Sequence, residues 1–287
     1  MLKNPDVILG NPPYSKKTKD KFVILWTLIT NLAIDMLNDG GILNFIHPKG
    51  WRGGGDTTKK LYRKMAVDNQ MWYIEMHDID DGKRMFNAAT DFDLYVMEKT
   101  LPNFDGVPTL KVDTQIVDYE KQPHIIPAQD RNYIVSSAFD MVENLLAKPN
   151  EEKIHLIHKR SMYGSDKKHV QKEMDNEYKY PLVDTITQEE PKLRFTNDNT
   201  KGFFGSPKVI VNYGHGINAF IDETGDYGVT QFSFAILDDK KNFDNIKKAI
   251  ESDAFKHLAT CICGSSMKDI NLTVMRDFRK DFWKMFI

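Results

Sequence analysis

Two consecutive prolines follow a short apolar run near the start of the chain, and they restrict its fold more than any other feature. Residues 7–9 are Val-Ile-Leu and end at Gly10, a pattern typical of a buried parallel strand that stops at a loop. Pro12 and Pro13 then fix two φ angles and remove two N–H donors, so neither a helix nor a central strand can continue. We therefore expect a rigid loop at the carboxyl end of a strand, where open α/β sheets bind ligands.

The segments that follow alternate between helical and strand patterns. Apolar residues at spacings of three and four predict an amphipathic helix over residues 22–37, and the turn at 38–41 ends it. Further elements are predicted in this order: strand 42–46, helix 57–65, strand 71–76 and strand 94–97. This order predicts an α/β fold with one half of a Rossmann-like sheet.

The second half of the chain has a different pattern. Between about residues 100 and 128, short alternating runs are separated by prolines, which predicts an outer hairpin and a connection to a second domain. Beyond it the predicted elements are a capped helix over 137–147, strands over 208–213, 218–222 and 229–237, and a helical segment over 246–263. This mixture predicts an α+β second domain.

Composition and charge exclude several classes of protein. The chain has 287 residues, of which 41% are hydrophobic and 28% charged, as in globular proteins with a buried core. The 39 Lys and Arg and 41 Asp and Glu give a net charge of −2, so any basic surface must be local. The longest apolar stretch, residues 22–37, is interrupted by polar side chains and predicts no membrane span. The first residues do not resemble a signal peptide.

Cysteine and histidine residues give no metal or disulfide pattern. Cys261 and Cys263 cannot build a disulfide framework, and they lack a second pair for a zinc site. His155, His158 and His169 lack Cys or carboxylate partners at ligand spacing. We therefore expect no metal, and a reducing cytoplasmic location.

The residue types in Asn11-Pro12-Pro13-Tyr14 suit the methylation of a planar exocyclic nitrogen. The side-chain oxygen of Asn11 and the backbone carbonyl of Pro12 can accept the two hydrogens of an NH2 group and favour its nucleophilic form. Neither acceptor needs to ionise. Tyr14 offers an aromatic face on which an extruded base can stack.

Residues 6–14, Asp-Val-Ile-Leu-Gly-Asn-Pro-Pro-Tyr, resemble the catalytic motif of adenine-N6 DNA methyltransferases. The predicted helix, the turn at 38–41, the strand 42–46 and His-Pro-Lys-Gly-Trp at 47–51 resemble the next part of that family, in its restriction-modification branch. Residues 85–90, Met-Phe-Asn-Ala-Ala-Thr, are similar to the place where the family sets a second aromatic against the target base. By this match Phe86 is the candidate partner of Tyr14.

The resemblance implies a partial methyltransferase sheet over residues 1–130 and a DNA target-recognition domain over 131–287. It further implies an enzyme that methylates adenine N6 in double-stranded DNA, with S-adenosyl-L-methionine as cofactor and a flipped target base. Asn11, Pro12, Pro13 and Tyr14 would be the catalytic residues, and Tyr14 and Phe86 would stack on the base.

Two local basic segments fit a DNA partner. Residues 1–64 hold eleven Lys and Arg against five acidic residues, although a solvated helix face would look similar. In the second domain, basic and aromatic residues are interleaved between 155 and 169, and an exposed basic loop is an equal alternative. The candidate DNA contacts are Lys16, Lys17, Lys49, Arg52, Lys159, Arg160, Lys167 and Lys168.

The cofactor loop of the family is missing from the predicted position. In this branch a glycine loop and an acidic ribose ligand precede the catalytic motif, whereas only ten residues precede Asn11. We expect the cofactor-binding half to come from a missing segment or a second polypeptide, and expect an uncovered strand edge and apolar face at residues 7–9. A permuted order, with the loop at Gly205 or Gly214, is the alternative.

Two other functions compete with the methyltransferase. A non-catalytic DNA-binding subunit or decoy would keep the fold without the reaction. A methyltransferase for a glutamine side-chain amide would use the same two acceptors, but it would not need so long a second domain.

Overall fold

A computed structural model describes residues 4–17, 22–53, 58–100, 112–126, 133–163, 166, 168–187, 190–212, 216–263 and 270–287. The chain forms two compact units: unit 1 is Met1–Ser137 with Gly264–Ser266, and unit 2 is Ala138–Cys263 with Met267–Ile287. The predicted boundary lies at residue 130. The catalytic and recognition roles predicted for the two parts of the chain remain predictions.

Unit 1 combines strands with three helices in its described part. The elements are β1 Val7–Gly10, β2 Ser15–Lys17, β3 Phe22–Ile24, α1 Trp26–Met36, β4 Ile42–Pro48, α2 Lys59–Tyr62, β5 Gln70–His77, α3 Ile79–Phe86, β6 Phe92–Glu98, β7 Thr114–Val117 and β8 Pro123–Ile126.

Six of these strands form one mixed sheet in the order β1-β4-β6-β5-β7-β8. Strand β1 runs parallel to β4, and α1 lies in the crossover that a parallel pair requires. Strand β6 lies between β4 and β5 and runs antiparallel to both. The predicted α/β class with a partial Rossmann-like sheet is confirmed.

Strand β1 forms one edge of this sheet. Val7 is 56% exposed and Leu9 is 76% exposed. The prediction of a buried strand is therefore wrong, because β1 has a neighbour on one side only and no described element covers these two side chains. The expected exposed edge and apolar face at residues 7–9 are confirmed.

Helix α1 begins at Trp26 and not at residue 22 as predicted. Phe22–Ile24 instead form β3, which pairs antiparallel with β2. Aromatic and β-branched residues favour this extended conformation over the first turn of a helix. On the side of α1 that faces solvent, Leu28, Leu32 and Met36 are exposed at a spacing of four residues.

Helix α3 has no counterpart among the predicted elements. The Asp78 carboxylate caps it by accepting hydrogen bonds from the backbone N–H groups of Asp80 (3.0 Å) and Asp81 (2.9 Å). Gly82 allows the helix to approach the following loop, since a Cβ there would lie 2.0 Å from the Thr90 carbonyl oxygen. The loop before β6 is thereby held against α3.

Strands β7 and β8 form an antiparallel hairpin, close to where one was predicted. Strand β7 also pairs in parallel with β5, so the hairpin extends the sheet rather than lying outside it.

Unit 2 contains two four-stranded sheets in its described part, in the orders β10-β12-β11-β15 and β14-β13-β16-β9. Its elements are α4 Phe139–Leu145, β9 His155–Ile157, β10 Val170–Gln171, β11 Tyr180–Ile186, β12 Pro191–Thr196, β13 Lys208–Asn212, β14 Ala219–Asp222, β15 Gly228–Val229, β16 Ser233–Leu237, α5 Phe243–Glu251, α6 Asp253–Cys261 and α7 Leu272–Met275.

The core of unit 2 centres on β13, which is buried along its whole length. A buried ion pair joins Lys208 Nζ to Asp222 Oδ2 at 2.6 Å between β13 and β14. The same carboxylate accepts hydrogen bonds from the backbone N–H groups of Gly225, Asp226 and Tyr227, which fixes the turn after β14. Within the described residues, no helix of either unit has the length and apolar character needed to cross a bilayer.

Candidate active site and DNA interface

The predicted catalytic segment lies at the carboxyl edge of the unit 1 sheet. Gly10 pairs with Phe45, and Phe45 pairs with Tyr95, so β1 and β4 end side by side. Strand β5 points the same way, since it and β4 are both antiparallel to β6. Three segments therefore emerge at one edge of the sheet: the 11–14 loop after β1, the 49–51 turn after β4 and helix α3 after β5.

The 11–14 loop is attached to the start of α1. The Tyr14 carbonyl accepts hydrogen bonds from the backbone N–H groups of Leu25 (3.0 Å) and Trp26 (3.5 Å), which are otherwise unsatisfied donors of the first helical turn. Pro12 is buried, whereas Asn11 is exposed. In the described part of the chain, neither the Asn11 side-chain amide nor the Pro12 carbonyl takes part in a hydrogen bond. Neither group is therefore used by a hydrogen bond within the described residues.

Tyr14 is partly buried. Its hydroxyl oxygen is inaccessible to solvent and has no hydrogen-bond partner among the described residues. Burial raises the pKa of this phenol, so it stays protonated and the ring carries no charge. Tyr14 thus has an uncharged, partly buried ring, and its carbonyl is held by the first turn of α1.

Trp26, His47 and Tyr95 form a cluster of packed rings near this edge of the sheet. The rings of Trp26 and His47 are stacked, with centroids 4.5 Å apart and planes at 27°. His47 lies on β4, and its Nδ1 donates to the Pro48 carbonyl at 3.1 Å. Its Nε2 then accepts from the Tyr95 hydroxyl, also at 3.1 Å. This pattern fixes the neutral tautomer with the proton on Nδ1.

Burial keeps His47 neutral. Removing the imidazole from water lowers its pKa to about 4, against the weaker raising effects of the Pro48 hydrogen bond and the Asp93 carboxylate. His47 is thus a packing residue with satisfied ring nitrogens and does not serve as a proton acceptor at neutral pH.

Phe86 ends helix α3 and is 38% exposed. Its ring meets the edge of Phe92, with centroids 5.0 Å apart. Phe92 in turn lies flat on His77, with centroids 4.5 Å apart and planes at 9°. Phe86 and Tyr14 both lie at the carboxyl edge of the sheet, but their rings are not in contact with each other.

Polar contacts fix His77, the innermost ring of the Phe86–Phe92–His77 contacts. His77 Nδ1 lies 2.8 Å from Asp81 Oδ2, and its Nε2 lies 3.2 Å from Glu75 Oε1. Lys121 Nζ donates to the same Asp81 oxygen at 2.8 Å, and this hydrogen bond is the main reason that the pKa of Asp81 falls to about 2. Arg84 on α3 contacts the other Asp81 oxygen. The helix that carries Phe86 is therefore joined to β5 by the contact between His77 and Asp81, and to the β7–β8 turn by the ion pair between Lys121 and Asp81.

Two of the predicted DNA contacts are buried. Arg52 is 2% exposed, and its Nε lies 2.7 Å from Asp93 Oδ2. Lys49 is also buried, with its Nζ 2.8 Å from Asp91 Oδ2. Desolvation would lower the pKa of Lys49, but Tyr119 and Asp91 outweigh it and raise the pKa. Neither cation can reach a phosphate in this structure, and the prediction that they contact DNA is corrected accordingly.

Sequence reasoning missed this role because it did not locate the acidic partners. Asp91 and Asp93 lie about forty residues further along the chain, at the start of β6. The pairing of β4 with β6, with His47 opposite Asp93, brings the Asp91 and Asp93 segment to the Lys49 and Arg52 turn. The one sequence signal for these ion pairs is the pair of acidic residues on either side of Phe92 at the beginning of a strand. It can be interpreted only when the pairing of β4 with β6 is known.

Other predicted DNA contacts are exposed. Lys16 and Lys17 lie on β2, directly after the 11–14 loop, and form no ion pair within the described residues. Lys159, Arg160 and Lys168 lie in unit 2 and are exposed. Lys167 lies outside the described residues.

The described residues do not make a complete site for S-adenosyl-L-methionine. The alternative loop at Gly205 has a positive φ of 83°, but its N–H donates to the Gly225 carbonyl and the chain continues into β13. A nucleotide-binding glycine loop leads into a helix, whose N-terminal amides face the ligand. Gly214 lies outside the described residues. No group of three or more His, Cys, Asp or Glu side chains in the described part could hold a metal ion.

The N-terminal part of the chain is similar to a known family of proteins. Residues 4–86 match the family described as Eco57I restriction-modification methylase. The predicted resemblance to a restriction-modification methyltransferase is confirmed for this segment, which contains the 11–14 loop and Phe86. A search of curated proteins found no match.

Several solved structures are similar to the chain. The type IIL restriction-modification enzyme MmeI in complex with DNA matches 88% of this chain at 10% identity, with a TM-score of 0.47. A nuclease-deletion mutant of the type ISP enzyme LlaGI with a DNA substrate mimic matches 97% at 10% identity (TM-score 0.46), and the M protein of the type I enzyme EcoKI matches 41% at 12% identity (TM-score 0.31). The matched regions span 43%, 40% and 26% of those chains, respectively, which is less than half of each.

Proposed function

We propose that unit 1 carries the catalytic loop, and unit 2 the DNA-recognition part, of an enzyme that methylates adenine N6 in double-stranded DNA. The methyl donor in this reaction is S-adenosyl-L-methionine, and the enzyme acts in the cytoplasm. The observation that carries the proposal is the pair of neighbouring acceptors, Asn11 and Pro12, that the described residues leave without hydrogen bonds at the ligand-binding edge of the sheet.

The chemistry of an adenine amine explains why two acceptors are needed. The nitrogen lone pair is delocalised into the ring and is a poor nucleophile. When the Asn11 Oδ1 and the Pro12 carbonyl each accept one N–H, the amine is favoured in its pyramidal form and its lone pair is directed out of the ring. The Pro12–Pro13 backbone and the bonds from Tyr14 to α1 keep these acceptors in place before the substrate arrives.

Aromatic surfaces would hold the base. A base inside a duplex cannot reach the 11–14 loop, so it must be extruded and stacked in the site. Tyr14 and the exposed part of Phe86 supply the two aromatic surfaces. Lys16 and Lys17 are exposed on the neighbouring hairpin and form no ion pair with the described residues, so they suit phosphates beside the extruded nucleotide.

A further polypeptide segment would complete the cofactor site. Two apolar surfaces of unit 1 are exposed: Val7 and Leu9 on the edge strand, and Leu28, Leu32 and Met36 on α1. Such surfaces are rare on a monomer unless something covers them. We infer that the segment carrying the cofactor loop pairs with β1, whether it belongs to the same polypeptide or to a partner.

The test is methyl transfer from labelled S-adenosyl-L-methionine to duplex DNA, with and without the completing segment. The DNA is digested to nucleosides and analysed by mass spectrometry for N6-methyldeoxyadenosine. Labelled N6-methyldeoxyadenosine supports the proposal, and its loss in Asn11→Ala assigns it to this site. DNA binding without any transfer supports the non-catalytic alternative, and label recovered on protein glutamine supports the amide methyltransferase.

A further inference from the structure

A two-residue turn projects from unit 2 between buried anchors. Thr230 and Ser233 are buried, and the backbone N–H of Thr230 and the hydroxyl of Ser233 both donate to the Val183 carbonyl, at 3.3 and 2.9 Å. Between them, Gln231 is partly exposed and Phe232 is 48% exposed. The turn joins β15 to β16, which belong to different sheets. Its ends are therefore fixed while its two central side chains face solvent.

A second loop braces this turn. The Gln231 N–H donates to the Met162 carbonyl at 3.0 Å, and the Gln231 carbonyl accepts from His158 Nε2 at 3.3 Å. Strand β9, which precedes His158, pairs with β16 with Ile157 opposite Ala235, so both loops leave the same edge of their sheet. The backbone of Gln231 is thus held on both sides.

The two central side chains of this turn, Gln231 and Phe232, make no hydrogen bond or ring contact with the described residues of unit 2. The Gln231 amide forms no hydrogen bond and the Phe232 ring forms no ring contact in the described part of the chain. A carboxamide offers one acceptor and two donors, which is the set that matches the major-groove edge of adenine. An exposed Phe on a rigid turn has the form of side chains that stack on or wedge between bases.

Two exposed arginines of unit 2 act on His158, the histidine that braces the turn. Arg160 and Arg276 are exposed and have no carboxylate partner within the described residues. Both act on His158: after burial, which is the main cause, their charges also lower the pKa of its imidazole. His158 donates to the Gln231 carbonyl, and the exposed Lys159 and Arg160 follow it directly in the chain, so basic side chains lie on the loop that braces the turn.

We propose that Gln231 and Phe232 form the base-contacting turn of this chain, with the exposed Arg160 and Arg276 of the same unit holding phosphates. The inference rests on the proposed function only in taking duplex DNA as the ligand. Arginines that have no carboxylate partner in the described residues can bind phosphates of any DNA sequence. A carboxamide on a fixed backbone can instead distinguish one base pair from another. Gln231 is then a specificity-determining residue.

The test is selection of duplexes from a random-sequence pool by the full chain, followed by sequencing of the bound DNA. Gln231→Ala is expected to reduce discrimination at one base pair by about 10- to 100-fold and to leave the affinity for random DNA unchanged. Phe232→Ala is expected to lower affinity for the selected sequence only. Arg160→Gln and Arg276→Gln are expected to weaken binding to all sequences and to reduce the slope of log affinity against log salt by about 1 each.

Matched controls come from other exposed positions of unit 2. Met174→Ala removes an exposed apolar side chain, and Lys248→Gln removes an exposed cation without a carboxylate partner in the described residues. Both are expected to select the wild-type sequence with wild-type affinity, and thermal melting checks that every variant is folded. Unchanged base preference in Gln231→Ala overturns the inference, as does binding by the wild-type chain without any preference.

The failure of the two proposals can be told apart. A chain that selects a sequence through Gln231 but transfers no methyl group contradicts the proposed reaction and supports the base-contacting turn. A chain that methylates DNA while Gln231→Ala selects the same sequence contradicts the turn alone.

Discussion

The ring of Phe92 lies flat on His77, and its edge meets Phe86, the aromatic residue that ends α3. Phe92 and His77 are buried, whereas Phe86 is partly exposed. The exposed ring is therefore seated on a rigid aromatic support, which limits the orientations that it can adopt. Pre-orientation of this kind reduces the entropy lost when a base stacks on the ring.

Phe86→Ala is expected to weaken retention of an extruded adenine by about 1–3 kcal/mol, the usual contribution of base stacking on an aromatic side chain. The fluorescence of 2-aminopurine at the target position, titrated with protein, measures this effect. Met85→Ala is the matched control, since Met85 is the exposed neighbour on the same helix. Equal extrusion by wild type and Phe86→Ala would assign Phe86 to packing against Phe92 only.

Asn11→Ala removes one of the two acceptors on the amine and is expected to lower the rate of methyl transfer by about 10²–10³-fold, the effect of losing one preorganised hydrogen-bond partner. DNA affinity should remain unchanged, because the chain uses this amide for no bond of its own in the described residues. Single-turnover rates separate the two quantities. Asn11→Asp keeps an acceptor oxygen and should retain more activity than Asn11→Ala; the reverse order would contradict the acceptor role.

The lowered pKa of His47 leads us to expect that the stability of the protein depends on pH. Its pKa is about 4 in the folded protein and 6.5 when unfolded, so the unfolded state binds the proton more readily between these values. The free energy of unfolding should therefore be largest above pH 6.5 and should fall by about 3 kcal/mol as the pH decreases towards 4. Urea denaturation at several pH values measures the slope. His47→Gln should flatten it, whereas the exposed His155→Gln should not.

Arg52→Gln is expected to destabilise the protein by about 3–5 kcal/mol, because it leaves the buried Asp93 carboxylate without its cationic partner. Lys16→Gln, at an exposed site, is expected to change stability by less than about 0.5 kcal/mol. Chemical denaturation compares the two. An Arg52→Gln variant with normal stability but a smaller salt dependence of DNA binding would restore Arg52 as a DNA contact.

The double substitution Leu28→Lys with Leu32→Lys is expected to abolish association with the segment that carries the cofactor loop, since it places charge on the exposed apolar stripe of α1. The stability of the chain alone should change little, as both side chains already face solvent. Sedimentation velocity measures the association, and urea denaturation measures the stability. Calorimetric titration of the chain alone with S-adenosyl-L-methionine measures cofactor binding. Ile125→Lys, at an exposed apolar site on β8, is the control. Tight cofactor binding by the chain alone would contradict the completing segment.

Local pattern was sufficient for most of the unit 1 sheet. The apolar runs around residues 42–46, 71–76 and 94–97 correspond to β4, β5 and β6, since each run is long enough to specify a strand without distant partners. The parallel pairing of β1 with β4 followed from the helix between them. The 11–14 loop lies at the expected edge for the same reason.

Features that depend on distant residues could not be predicted. Arg52 reads as a DNA contact until β6 brings Asp93 beside it, and residues 7–9 read as buried until β1 is found at an edge. The residues 22–24 show a local conflict, because they fit the helical stripe but also favour a hairpin with β2. Pairing between segments decided each case, and it is not encoded in the spacing of apolar residues.

The hydrogen bond from the Leu25 amide to the Tyr14 carbonyl couples the 11–14 loop to the start of α1. Opening of the loop would release this hydrogen bond and leave the first turn of the helix without its cap. The rate at which the Leu25 amide proton exchanges with deuterated solvent therefore reports how often the 11–14 loop opens. A ligand held by the 11–14 loop would slow this single proton, which gives a spectroscopic signal of substrate engagement that needs no label and no turnover.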